Sequence, residues 1–210
     1  MFIGVPAWLI NLSGVMRIIG GTAGGTILKV PKGYDVRPTP DLVRQAIFNS
    51  LRERVVGADA LELFGGTGAL SLESLSRGAA SAVCVEKAGR HAQFIRQNAR
   101  AAKIDDRRFE VRVKDAFVAI GQLAESGRRF DLILADPPFG EKNVNRRSTS
   151  FSQKLLDEER LPGLLNEGGL LVLGHTKRDT LELTDGWREL KVLKHGDSMF
   201  RMLEQAPSLP

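Results

Sequence analysis

From residue 59 onward, short apolar runs alternate with stretches of helical periodicity. Ala60-Leu61-Glu62-Leu63-Phe64, Ala82-Val83-Cys84-Val85-Glu86, Phe109-Glu110-Val111-Arg112-Val113, Phe130-Asp131-Leu132-Ile133-Leu134-Ala135 and residues 169–174 read as strands. Residues 69–77, 88–103, 118–125 and about 151–165 read as helices between them. Two more strand candidates lie at 190–194 and 199–203. Strands joined through helices form a mostly parallel sheet covered on both faces, so the pattern predicts an α/β fold. In such sheets ligands bind outside the carboxyl ends of the strands, where the strand order reverses. The residues just after each strand are therefore the ones to examine.

The segment before this repeat is different. Residues 17–38 are rich in Gly, Arg and Lys, and Arg17-Ile18-Ile19 and Thr26–Val30 predict a small hairpin around a glycine turn. After Arg37-Pro38-Thr39-Pro40, Leu42, Val43, Ala46, Ile47 and Leu51 recur at helical spacing, with Thr39 or Asp41 as the expected cap. We expect residues 16–55 to form a hairpin-and-helix unit and 56–205 the main domain. The opening 15 residues are apolar without a basic start, so they fit neither a secretory signal nor a membrane span. They are expected to be a loose extension, or to lie upstream of a start at Met16.

Composition narrows the partner. The chain has 210 residues, 30 Lys+Arg against 25 Asp+Glu, and a formal charge of +5. That excess favours a polyanion such as nucleic acid. A single cysteine, Cys84, excludes a disulfide framework and fits a reducing cytoplasm. No cluster of His, Cys or carboxylates has metal-ligand spacing, so no metal is expected.

Two loops can carry chemistry. The first is Glu62-Leu63-Phe64-Gly65-Gly66-Thr67-Gly68, a strand end running into a glycine turn and a helix start. Glu86 ends the next strand, where a carboxylate can accept both ribose hydroxyls of an adenosine. Asp115, after the third strand in Lys114-Asp115-Ala116, can accept from an adenine amine, cap the next helix, or do both. Glu62 would repel a pyrophosphate and suits a cationic methionine moiety, which favours S-adenosylmethionine (AdoMet) over a dinucleotide.

The second loop is Asp136-Pro137-Pro138-Phe139. Two prolines stiffen it and set a carboxylate, backbone carbonyls and an aromatic ring together at a strand end. A nucleobase amine is a poor nucleophile because its lone pair is delocalised into the ring. The Asp136 carboxylate and the Pro137 carbonyl can each hold one N–H, freeing the lone pair. Asp136 also offsets the positive charge that develops on nitrogen. Phe139 can stack on a base drawn out of its helix or loop.

Asp136-Pro137-Pro138-Phe139 resembles the (D/N)PP(Y/F) signature of AdoMet-dependent amino-methyltransferases. Together with Arg17–Gly21, Arg37-Pro38-Thr39, Arg44, Phe48-Asn49, Leu63–Gly68, Leu75–Ala79 and Val85-Glu86-Lys87, it resembles the RsmD family over about residues 16–203. The resemblance implies a Rossmann-like class I methyltransferase with a mostly parallel seven-stranded sheet and an N-terminal β-hairpin. It implies methyl transfer to N2 of a guanine in 16S rRNA, within the assembling small ribosomal subunit, by a monomer. Site residues implied are Asp136, Pro137, Pro138 and Phe139 for catalysis. For the cofactor they are Glu62, Phe64, Gly65, Gly66, Thr67, Gly68, Glu86, Lys87, Asp115 and Ala116. This chain departs from the family pattern in carrying Glu62 for Asp, Gly65-Gly66-Thr67 for Ala-Gly-Ser, and Phe139 for the commoner Tyr. Each replacement keeps the chemical role. The RNA grip is expected from the basic hairpin and helix, chiefly Arg17, Arg37 and Arg44, with Arg146 and Arg147 after the catalytic loop. His175, ending the fifth strand, matches a family histidine near the site. A DNA adenine-N6 methyltransferase shares the four-residue loop, and a non-catalytic RNA-binding assembly factor would share the basic face.

Overall fold

The computed structural model describes residues 15–31, 39–139 and 146–207. The expected extension up to residue 14, Arg37, and residues 140–145 of the basic loop lie outside them. Seven strands form one sheet in the order β3-β2-β1-β4-β5-β7-β6. They are β1 (Asp59–Leu63), β2 (Ser81–Glu86), β3 (Phe109–Val113), β4 (Phe130–Ala135), β5 (Leu165–Thr176), β6 (Trp187–His195) and β7 (Ser198–Gln205). The first five run parallel, and β7 inserts antiparallel between β5 and β6. The α/β expectation holds, with a class I methyltransferase order. The chain steps outward from β1 to β3 and returns to place β4 on the other side of β1, so the reversal lies between β1 and β4.

Five helices cover the sheet: α1 (Asp41–Leu51), α2 (Ala69–Ser76), α3 (Gly89–Ala101), α4 (Ala116–Glu125) and α5 (Phe151–Leu156). On one face α4 and α5 pack Ile120, Leu123 and Leu155 against Leu61, Ile133 and Leu171. On the other, Ile47, Phe48 and Leu51 of α1 pack against Ala60, Leu134 and Val172. Cover on both faces explains why β1, β2, β4 and β5 read as nearly continuous apolar runs. The edge strand β3 keeps Glu110 and Arg112, whose charges discourage edge pairing.

The N-terminal hairpin reduces to one antiparallel bridge, Arg17 with Ile27. It is seated on α2 and α3: Met16, Ile18 and Leu28 pack with Leu72, Ala99 and Ala102. Buried Glu73 accepts from the Ile19 and Gly20 N–H groups (2.7 and 2.9 Å) and from Arg77 Nε (2.6 Å). Two motif segments distant in sequence, Arg17–Gly21 and Leu75–Ala79, thus meet at one joint.

The helix expected over 151–165 is shorter. α5 ends at Leu156, and Pro162–Leu164 form a separate 3₁₀ turn before β5 starts at Leu165. Pro162 lacks the N–H that a continued helix needs. The expected cap of α1 also differs. Pro40 holds the cap position without a side-chain bond, and the Thr39 hydroxyl is used elsewhere.

Candidate functional site

The carboxyl ends of β1, β2, β3 and β4 open onto one cavity of about 570 Å³. Its walls include Phe64, Gly66, Glu86, Lys87, Asp115 and Ala116 on one side, and Asp136, Pro137, Pro138 and Phe139 on the other. The volume falls in the range of small-molecule and cofactor sites. Ten of the residues expected for cofactor binding and catalysis are thereby brought together at one cavity.

On the β1–β2 side the glycine loop is pressed onto its neighbours. Phe64 takes φ 60°, in the left-handed region that a bulky residue adopts only under tertiary constraint. A Cβ at Gly65 would meet Cys84 Sγ on β2, so no side chain fits there. Gly66 N–H donates to Glu86 Oε2 (2.8 Å), and Ala88 N–H donates to Oε1 (2.8 Å). His91 Nδ1 lies 3.5 Å from the same Oε1. Glu86 therefore ties the loop to β2 while still facing the cavity. Asp115 accepts from Phe117 N–H (3.0 Å) as the cap of α4, and its other oxygen lies 3.3 Å from Lys87 Nζ.

Four residues expected to hold the cofactor do not line the cavity: Gly65, pressed against Cys84, and Glu62, Thr67 and Gly68 behind the wall. Glu62, expected beside a cationic cofactor, is 3% exposed and accepts from Ser71 N–H (2.9 Å) and Leu70 N–H (3.3 Å). It satisfies the open N–H groups of α2's first turn from the neighbouring strand. Burial pushes its carboxyl up to about 7, against the lowering bond from Ser71. Thr67 is buried with its hydroxyl against Met16 Sδ (3.4 Å), and its carbonyl accepts from Asn98 Nδ2 (3.0 Å). Gly68 opens α2 at φ 75°. These residues shape the loop rather than line the cavity.

On the β4 side, Asp136 Oδ2 accepts a 2.5 Å bond from the Thr39 hydroxyl. Its other oxygen lies over the backbone of Gly174 on β5, where a Cβ would meet Oδ1. Burial pushes the Asp136 carboxyl up to about 6, with the Thr39 bond pulling the other way. Pro137 is buried, whereas Phe139 is 43% exposed at the mouth. Phe151, at the start of α5, lines the same cavity and packs 5.6 Å from Phe64, ring centre to ring centre. Sequence reasoning missed Phe151, His91 and Lys114 as lining residues, and Thr39 as a partner of Asp136. Only tertiary contact reveals them.

The expected RNA-gripping arginines are placed differently. Arg44 is 1% exposed. Its guanidinium donates to the carbonyls of Thr39 (2.7 Å) and Arg17, and pairs with Asp41 (2.9 Å). It is a clamp joining hairpin, loop and α1, not a surface contact. Arg17 lies 3.4 Å from Asp41, and Arg147 pairs with Asp157 (2.6 Å) and Glu182 (3.7 Å). Arg146 is exposed, and Arg37 lies outside the described residues. His175 is buried between the Asp179 carbonyl (Nδ1, 3.1 Å) and Arg201 Nε (Nε2, 3.2 Å). Burial and then Arg201 hold its pKa down, so it is a neutral structural link. Among the described residues no group of His, Cys, Asp and Glu has metal-binding geometry, and no helix is long and apolar enough to cross a membrane.

This fold and these loops match a known family. The model of the family described as conserved hypothetical protein 95 aligns with residues 16–204. The chain belongs to that family. YlbH of Bacillus subtilis is 32% identical over 171 residues, covering 81% of this chain and 88% of that protein. Ribosomal RNA small subunit methyltransferase D of Haemophilus influenzae is 31% identical over 194 residues, covering 92% and 96%. The solved structure of yhhF from Escherichia coli superposes with a TM-score of 0.73 at 30% identity, over 92% of this chain and 99% of that one. The resemblance drawn from the motifs is borne out.

Proposed function

We propose that this protein transfers a methyl group from AdoMet to the exocyclic N2 of a guanine in small-subunit (16S) rRNA. We further propose that it acts as a cytoplasmic monomer without a metal, on the assembling subunit. The observation that carries this is the placement of Asp136 and Phe139 across one cavity from Glu86 and Asp115. The name of the Haemophilus relative supports the rRNA substrate.

The residues present fit the cofactor. Glu86 offers carboxylate oxygens at the end of β2 where ribose hydroxyls would bind, and Asp115 offers an acceptor for an adenine amine. Phe64 and Phe151 supply apolar walls. Bound there, AdoMet would supply an electrophilic methyl on a sulfonium. The protein's part lies with the amine. Asp136 and the Pro137 carbonyl each accept one N–H, which shifts the nitrogen toward tetrahedral geometry and exposes its lone pair. The Asp136 charge stabilises the cationic nitrogen as it forms, and the carboxylate can take its proton. Thr39 keeps Asp136 oriented and favours its ionised form. Phe139 holds the extruded base by stacking.

The test is methyl transfer from labelled AdoMet to small subunits that lack the modification, with nucleosides identified by mass spectrometry. N2-methylguanosine is the expected product. N6-methyladenosine would keep the amino-methyltransferase chemistry and overturn the base assignment. AdoMet binding with no label in any RNA would favour a non-catalytic assembly factor.

A further inference from the structure

The arginines expected to hold RNA are largely committed within the protein, yet the chain carries a net +5. Two segments carry that excess: residues 15–55 hold seven Lys and Arg against three Asp and Glu, and the second segment lies at the sheet edge. Residues 89–114, spanning α3 and the edge strand β3, hold eight Lys and Arg against three Asp and Glu, a balance equal to that of the whole chain. Two of the acids are spent on neighbours of their own: Asp105 on Arg107 (2.7 Å) and Glu110 on Arg112 (2.6 Å). Arg96, Arg100 and Lys103 are exposed on the outer side of α3 and its end.

Arg96 and Arg100 also flank a shallow groove of about 240 Å³ between α3 and β3, floored by Ala99, Phe109 and Val111 and edged by Asp106. Residues four apart on a helix are neighbours on its surface. Their guanidinium forks match phosphate geometry. The surface is continuous with the hairpin. Lys29 Nζ lies 3.3 Å from Gln97 Oε1, and its backbone is fixed to α3 by buried Asn98 (2.7 and 3.0 Å). Asn98 also bonds the glycine loop, so this face is held rigidly relative to the cavity.

We infer that the α3–β3 edge is a docking surface for the phosphate backbone of the RNA substrate, with Arg96 and Arg100 as its principal contacts. The inference rests on the rRNA reading above. It assigns the grip to the edge of the sheet beside β3 rather than to Arg17 and Arg44, which are engaged within the protein. Such contacts position the RNA without reading its sequence. Charge complementarity selects the occupant: a groove framed by guanidinium groups, with one acid at its edge, suits a polyanion.

The test compares the full-length wild type, Arg96→Glu/Arg100→Glu, and a control, Lys191→Glu/Lys194→Glu on the opposite edge strand β6. The control makes the same change in net charge. Binding to 16S rRNA is measured across salt concentrations, and AdoMet binding by calorimetry. We expect the α3 variant to bind rRNA at least about tenfold more weakly at low salt. Its salt slope should fall by about 1–2, as expected for two lost phosphate contacts. AdoMet affinity should stay unchanged, and the β6 control should bind rRNA nearly as wild type does. An α3 variant indistinguishable from wild type would overturn the inference, as would equal losses in both variants, which would mean a net-charge effect. Wild-type protein that binds no rRNA would instead overturn the rRNA reading itself, and the docking surface with it.

Discussion

The cavity's two walls solve different problems with similar groups. On the β2 wall, Glu86 accepts two backbone N–H bonds, from Gly66 and Ala88, and has His91 nearby. On the β4 wall, Asp136 accepts a side-chain bond from Thr39, and burial holds its carboxyl up at about 6. A carboxylate has about four lone-pair positions, so Asp136, with its bond from Thr39, keeps more of them open than Glu86 does with two. The β2 wall is wired in advance by its own backbone. The β4 wall keeps a desolvated acid whose hydrogen bonding, on the proposed function, a substrate amine would complete. Polar groups preorganised in this way cost no rearrangement during the reaction.

The sharpest way to break this contrast is Asp136→Ala. Methyl transfer should fall by about 10³-fold or more, while calorimetry should find AdoMet affinity near wild type. Unchanged turnover would remove Asp136 from the chemistry. Gly174→Ala tests the same wall from behind, because the added Cβ meets Asp136 Oδ1 and comes within 2.8 Å of Phe200 Cε1. Displacing the carboxylate should lower kcat by about 10–100-fold, with thermal unfolding checking that the fold survives.

A pH profile sharpens the comparison further. Asp136 must be ionised to accept the amine, so kcat/KM should fall on the acid side with a midpoint near 6. Thr39→Val deletes a donor to the charged form. The midpoint should then move toward alkaline pH by about one unit, and Thr39→Ser should restore it. A merely structural role for Thr39 would lower the rate without moving the midpoint.

The smallest expected effect on activity is at Glu62, whose work is on the cofactor side but behind the wall. Its folded pKa, about 7, lies above its ordinary 4.5, so the folded state holds its proton more tightly than the unfolded one. Stability should therefore decrease as pH rises from about 4.5 to 7. Asp136 acts in the same direction between its ordinary 3.8 and about 6. Glu62→Gln removes its part of this slope, leaving that of Asp136. It also sets an amide against the α2 N–H groups, which should cost about 1–3 kcal/mol by denaturant titration. A slope as steep as wild type would show that Glu62 is ionised in both states.

The parallel sheet and its two chemical loops were legible because both are local signals. Strand runs such as Phe130–Ala135 and the prolines after Asp136 act through neighbours in the chain. The roles of single charged residues were less legible. Arg44 and Arg96 look alike in sequence, each on the polar side of an amphipathic helix. One is buried beneath the hairpin and the other faces outward. Glu62 and Glu86 both end strands beside the glycine loop, yet α2 folds back over the first, while the second lines the cavity.

Contiguous residues therefore sufficed for the α/β alternation, the strand ends that meet at the cavity and the Asp-Pro-Pro-Phe loop. Hydrophobic periodicity and proline stiffness are properties of contiguous residues. Only the tertiary structure decided which carboxylates face the cavity, which arginines remain outside, and that Thr39 reaches Asp136 across 97 residues of chain. Burial and hydrogen bonding depend on what another segment brings alongside, and no local pattern encodes that.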